Sequence, residues 1–123
     1  MNKFFLLSGS VLGLLGVAVG AFGAHALKVM LQAAGRAETF ETAVRYMFYH
    51  AIALVLVGIL SKEFPGNTIN WSGNAFLLGT LIFSGSLFLI CFTGINLFGA
   101  VAPIGGTLLV IGWGLLFWSV LKG

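Results

Sequence analysis

The chain has 123 residues, of which 59 % are hydrophobic and only 7 % charged, against about 25 % charged in an average soluble chain. With a mean hydropathy of +1.10, hydrocarbon is the solvent that suits it, and at about 20 residues per crossing there is room for one domain of four spans. The net charge of +3 comes from scattered residues with no run of Lys or Arg, and Cys91 is the only cysteine, which argues against a nucleic-acid patch and excludes an internal disulfide or a cysteine-based metal centre.

The first span is read as residues 4–27. Lys3, the apolar run after it and Ala24-His25-Ala26 mimic a secretory signal with a small-residue cleavage site. The run exceeds the usual signal core of about 7–15 residues, so a retained helix is expected. Gly9, Gly13, Gly16, Gly20 and Gly23 recur at intervals of four and three, which keeps them within about 80° of helical arc. In lipid such a stripe lets another backbone approach closely. Packing within this chain is the plainer reading, and a contact between subunits the sharper one.

Residues 28–42 form the longest connection and hold a short amphipathic segment that Gly35 is expected to break. A helix from Ala37 then runs into a second span, 43–60. Pro65-Gly66-Asn67 marks a turn, followed by a third span, 73–92, a tight turn at 93–96 and a fourth span, 97–121. Pro103 is expected to kink the fourth helix or to follow a short half-turn. The fold class is all-α, an integral membrane four-helix bundle. Gly85, Gly105 and Gly112 are further helix-packing candidates.

Four spans put both termini and the second loop on one side, where Trp71 and Trp118 share an interface. That side carries Lys3, Lys62 and Lys122, and the other Lys28, Arg36 and Arg45. Arg45 belongs to a helix and not to a loop, so the positive-inside rule tips both termini toward the cytoplasm.

At the start of the second span, Glu38, Glu41, Thr42, Arg45, Tyr46 and Tyr49 share one helical face and His50 flanks it. Glu41 and Arg45 form an i,i+4 pair with the acid first, the favoured order. An unpaired Arg at membrane depth would cost about 2.5–3.5 kcal/mol, so pairing with Glu41 and the tyrosine hydroxyls is expected, with His25 within reach of the cluster. His25, Glu41, Arg45, Tyr46, Tyr49 and His50 therefore make up the candidate site, a structural network or a place for a ligand or a lipid headgroup. His25 and His50 also raise bis-His haem ligation, although no cofactor or metal is expected. Ser84 and Ser86 bring hydroxyls to mid-membrane, where they ordinarily bond a carbonyl. No nucleophile elbow, zinc-protease motif or phosphate loop occurs, so no enzyme is expected.

Four stretches carry a resemblance: residues 20–27 (GAFGAHAL), 41–51 (ETAVRYMFYHA), 81–87 (LIFSGSL) and 103–106 (PIGG). In this order they resemble the YgdD/YwdK-like family of small bacterial inner-membrane proteins, a family of unknown function with relatives in animal cells. The resemblance covers nearly the whole chain. It implies a four-helix protein of the bacterial inner membrane and carries over no activity, substrate or catalytic residue. The expected function is that of an accessory or scaffold protein in contact with membrane lipids, with copies of itself or with a larger membrane complex, and with no nucleic-acid partner. Two alternatives stand beside it: an oligomeric transporter or channel using Glu41, Arg45 and His50, and a haem protein using His25 and His50.

Overall fold

The computed structural model describes residues 2–123, and among them five helices and no strand. These are α1 (Lys3–His25), α2 (Lys28–Ala33), α3 (Ala37–Leu60), α4 (Asn67–Thr93) and α5 (Phe98–Lys122). All but α2 are long and apolar enough to cross a membrane.

Local chemistry sets the boundaries. The Asn2 side chain caps α1 by accepting the Phe5 N–H at 3.3 Å. After the single long turn of α2 the chain reverses at Gly35, whose φ of +68° suits a residue without a Cβ. The Arg36 N–H then bonds back to the Leu31 carbonyl at 2.8 Å, and α3 begins. Gly94 stops α4 in the left-handed conformation, φ +72°, with its N–H on the Ile90 carbonyl at 2.9 Å. Tight bonds from Gly99 to Asn96 and from Ala100 to Leu97 start α5, and Pro103 follows inside a continuous helix.

The third span begins at Asn67, six residues before the expected start at 73. The polar stretch read as loop faces inward. Thr68 and Ser72 are buried, Thr68 accepts from Lys122 Nζ at 2.6 Å, and Ser72 donates to the Gly112 carbonyl at 2.7 Å. Hydropathy treats such residues as wet, yet internal partners make them helix-compatible. At the other end of the chain's first span, α1 stops at His25, two residues early.

The spans pack in chain order, α1 on α3, α3 on α4 and α4 on α5. The middle spans bury 44 % of their most apolar stretch within the protein and the outer spans 22 %. Phe5, Leu12, Met47, Leu54, Phe76 and Leu109 belong to one continuous core. Both ends are latched. Asn2 N–H bonds the Gly58 carbonyl at 2.9 Å at the terminal end, and at the other Arg36 donates to Asn96 Oδ1 at 2.5 Å.

The α1 glycines all face α3. A Cβ on Gly9 would lie 2.7 Å from the Ala51 carbonyl oxygen, Gly13 sits over Ala51, Gly16 under Phe48, Gly20 beside Val44 and Gly23 against the Phe40 ring. Gly105 lies against the backbone of Gly79 and Phe83, and Gly112 receives the Phe76 ring. Gly85 differs from the expectation, because nothing lies within 4 Å of where its Cβ would be. It points between Ser84 and Ser86, which take the buried positions on either side. Gly58, Gly73 and Gly79 are contact glycines that the sequence reading passed over; they meet Leu6, Phe5 and Leu109.

These distances separate neighbours on one stripe. Gly9→Ala forces a methyl to 2.7 Å from a backbone oxygen and is expected to cost about 1–3 kcal/mol by overpacking. Gly13→Ala meets only the Ala51 methyl at 3.9 Å and is expected to be neutral or to gain up to about 1 kcal/mol of helix propensity. Thermal unfolding of the two variants in detergent checks the ranking.

Candidate functional site

The candidate residues of α3 run from Glu41 near its first-loop end to His50 at its middle, with His25 at the end of α1, and the structure divides them between two faces. Glu41 and Arg45 pair on the exposed side, the one ion pair among the described residues. Tyr46 and Tyr49 are exposed beside them, their ring centroids 6.0 Å apart. The recorded hydrogen bonds of the pair are to each other and not to either tyrosine hydroxyl, so the expected hydroxyl capping is replaced by exposure at the interface. Tyr46 instead lays its ring on Phe83 of α4, 4.8 Å between centroids.

His25 does not join them. It is exposed at the end of α1, with Nδ1 2.9 Å from the Ala21 carbonyl of its own helix. His50 turns the other way, into the bundle, where it is 4 % exposed. The indole N–H of Trp113 on α5 donates to His50 Nε2 at 3.1 Å, and His50 Nδ1 lies 2.8 Å from the Tyr46 carbonyl. An indole nitrogen only donates and a carbonyl only accepts. In this arrangement the imidazole is therefore neutral with its proton on Nδ1. Both ring nitrogens are committed, so neither lone pair is offered to an iron. Phe76 of α4 packs against both partners, 5.5 Å from His50 and 4.9 Å from Trp113 by ring centroid.

Trp113 is the residue that sequence reasoning missed, since nothing in the pattern of the fourth span distinguishes it from a lipid-facing aromatic. Elsewhere at mid-membrane, Ser84 donates across to the Ala43 carbonyl at 2.8 Å, and Ser86 and Thr107 bond the carbonyls of Ile82 and Pro103 on their own helices. The Thr80 hydroxyl is buried without a partner. No group of three or more metal-ligating side chains occurs among the described residues.

Beside the Glu41–Arg45 pair is a groove of about 350 Å³, enclosed by the end of α1, by α2 and by the first two turns of α3. Glu41 lines it and is the one candidate residue that does. The site thus has an internal part, the His50–Trp113 bond joining the second and fourth spans, and an external part, the ion pair and groove at the membrane boundary.

A family model described as "Protein of unknown function (DUF423)" matches residues 19–106. A UPF0382 membrane protein of Staphylococcus haemolyticus is 38 % identical over 120 residues, covering 98 % of this chain and 97 % of the relative. One from Staphylococcus saprophyticus is 38 % identical over 98 % of each chain. The UPF0382 membrane protein YwdK of Bacillus subtilis is 33 % identical over 121 residues, 98 % of each chain. No solved structure matches. The chain belongs to this family of membrane proteins of unknown function.

The two parts of the site differ in cost of removal. Trp113→Phe orphans His50 Nε2 and is expected to lose about 0.6–1.7 kcal/mol, the span of hydrogen bonds between membrane helices. Glu41→Gln breaks an exposed i,i+4 pair worth about 0.3–0.5 kcal/mol. Unfolding of both variants in the same detergent is expected to rank Trp113→Phe as the more damaging.

Proposed function

We propose that this family member is a non-enzymatic component of the bacterial cytoplasmic membrane whose first-loop end holds lipid headgroups and neighbouring proteins. The observation that carries the reading is where polarity is left over. A transporter site belongs near the midplane, at broken helices lined by polar groups. Here, toward the middle of the spans, the Ser84 hydroxyl and both nitrogens of His50 are used inside the bundle and the Thr80 hydroxyl alone is buried without a partner among the described residues, while Glu41, Arg45 and Lys28 are exposed at one interface. Exposed Arg and Lys at that depth suit phosphate headgroups. The protein partners we have in mind are further copies of the chain or a larger membrane complex, meeting it through the outer faces of α1 and α5.

We further propose that both termini face the cytoplasm. Lys3, Lys62 and Lys122 flank the terminal end, whereas on the other side Arg45 is held in α3 by Glu41 and counts less toward loop charge. A cysteine introduced at Gly123, with Cys91 replaced by Ser, is expected to react with a membrane-impermeant reagent only after the cells are opened.

Liposomes containing the full chain test the main reading. The expected result is no flux of protons, ions or solutes above protein-free liposomes, together with loss of co-purifying lipid or partner in Arg45→Ala. A flux carried by the unsubstituted protein and abolished in His50→Ala would overturn it in favour of a transporter.

A further inference from the structure

The groove at the first-loop end has a chemistry that its own residues do not complete. Its volume of about 350 Å³ lies in the range of ligand sites, about 300–1,000 Å³. Gly20, Gly23 and Ala24 form a wall with no side chain beyond a methyl, and Leu31, Phe40 and Val44 supply an apolar floor. Lys28, Gln32 and Glu41 add polar groups. The Glu41 carboxylate is held by Arg45, which leaves the Lys28 ammonium without an ion-pair partner among the described residues. Ala37, the first residue of α3, also lines the groove, and no side chain caps that helix end. The positive end of the helix dipole therefore adds to Lys28. Glu38 lies in the same turn but outside the groove lining.

Placement decides what complements an apolar floor with a surplus positive charge. The groove sits where α1 ends and the first loop begins, at the boundary between hydrocarbon and headgroups. A molecule with an acyl chain below and a phosphodiester above spans that boundary in the same way. We infer that the groove binds one anionic glycerophospholipid, with its phosphodiester at Lys28 and Gln32 and an acyl chain against Leu31, Phe40 and Val44. With Lys28, Arg36 and Arg45 set against Glu38 and Glu41, the first-loop end carries one net positive charge, and with Glu41 held by Arg45 this complements phosphatidylglycerol over a zwitterionic choline headgroup. The two grooves at the terminal end lack this combination. One is lined by Glu63 and by a Lys122 already bonded to Thr68, and the other sets Lys3 among Asn2, Ser61 and Asn70 in a broader, more polar groove of about 550 Å³.

The inference rests on the lipid-contacting reading and narrows it to one site and one headgroup class. Native mass spectrometry of the full chain in mild detergent, with added phosphatidylglycerol or phosphatidylcholine, tests it. Wild type is expected to retain one phosphatidylglycerol per chain in preference to phosphatidylcholine. Lys28→Glu is expected to weaken phosphatidylglycerol about tenfold or more, since each basic residue near an anionic lipid surface contributes several-fold, while Lys28→Arg preserves it. Ala24→Phe, which fills the apolar wall, is expected to weaken both lipids. Lys28 and Ala24 are exposed, and unchanged helical circular dichroism establishes that the variants fold. Retention unaltered in both Lys28→Glu and Ala24→Phe overturns the groove as the site. If lipid is then lost in Arg45→Ala, the broader lipid-contacting reading survives. No preference for phosphatidylglycerol in wild type also overturns the inference, whereas the broader reading falls only with solute flux in liposomes.

Discussion

Between helices immersed in hydrocarbon there is no water to expel, so association rests on how closely two backbones approach. The contacts of α1 with α3 and of α4 with α5 meet that constraint through glycine. Gly79 and Gly105 face each other across the third and fourth spans, a Cβ on either lying within 2.9 Å of the other's carbonyl oxygen. Gly9 brings α1 onto the backbone of α3 at Ala51. Where backbones do not touch, glycine leaves a notch that a phenylalanine ring fills: Phe5 at Gly73, Phe40 at Gly23, Phe48 at Gly16 and Phe76 at Gly112. A chain with 18 glycines and 12 phenylalanines thus gains its dispersion energy from a few fitted pairs.

Close approach also governs what polarity the bundle interior can hold. The Ser72 and Ser84 hydroxyls reach the carbonyls of neighbouring helices at 2.7 and 2.8 Å, and Trp113 reaches His50 past the Phe76 ring that Gly112 admits. Each such bond consumes a polar atom that a transport path would need. The Thr80 hydroxyl is the one buried side-chain polar atom without a partner among the described residues, and at the first-loop end α2 and the start of α3 leave a groove lined by Lys28, which has no ion-pair partner among the described residues.

The four spans, their order and the break at Gly35 were legible in the sequence because apolar length and glycine position are local signals. The early start of α4 was not, because Thr68 and Ser72 read as loop residues until their partners Lys122 and Gly112, more than 39 residues away, are in place. The pairing of Glu41 with Arg45 followed from i,i+4 spacing alone. The fate of His50 did not. A helical wheel sets it at the flank of the polar face, and only the packing of three spans decides that it turns inward to Trp113. Gly85 fails for the complementary reason: its neighbours suggested a packing face, yet a helix has a lipid side too, and sequence does not say which side a lone glycine takes.

The central claim is that the glycine stripe of α1 is occupied by α3 of the same chain, and cysteine cross-linking in the membrane tests it most directly. A Cβ at Gly13 would lie 3.9 Å from the Ala51 Cβ, within the about 3.5–4.5 Å that a disulfide requires. In a Cys91→Ser background, Gly13→Cys with Ala51→Cys is predicted to oxidise to a cross-linked monomer, and Leu14→Cys with Ala51→Cys is predicted to stay reduced because Leu14, about 100° further round the helix, is 71 % exposed. A cross-linked dimer in place of the monomer, or no cross-link at all, would contradict the account by showing that the stripe belongs to another subunit or to lipid.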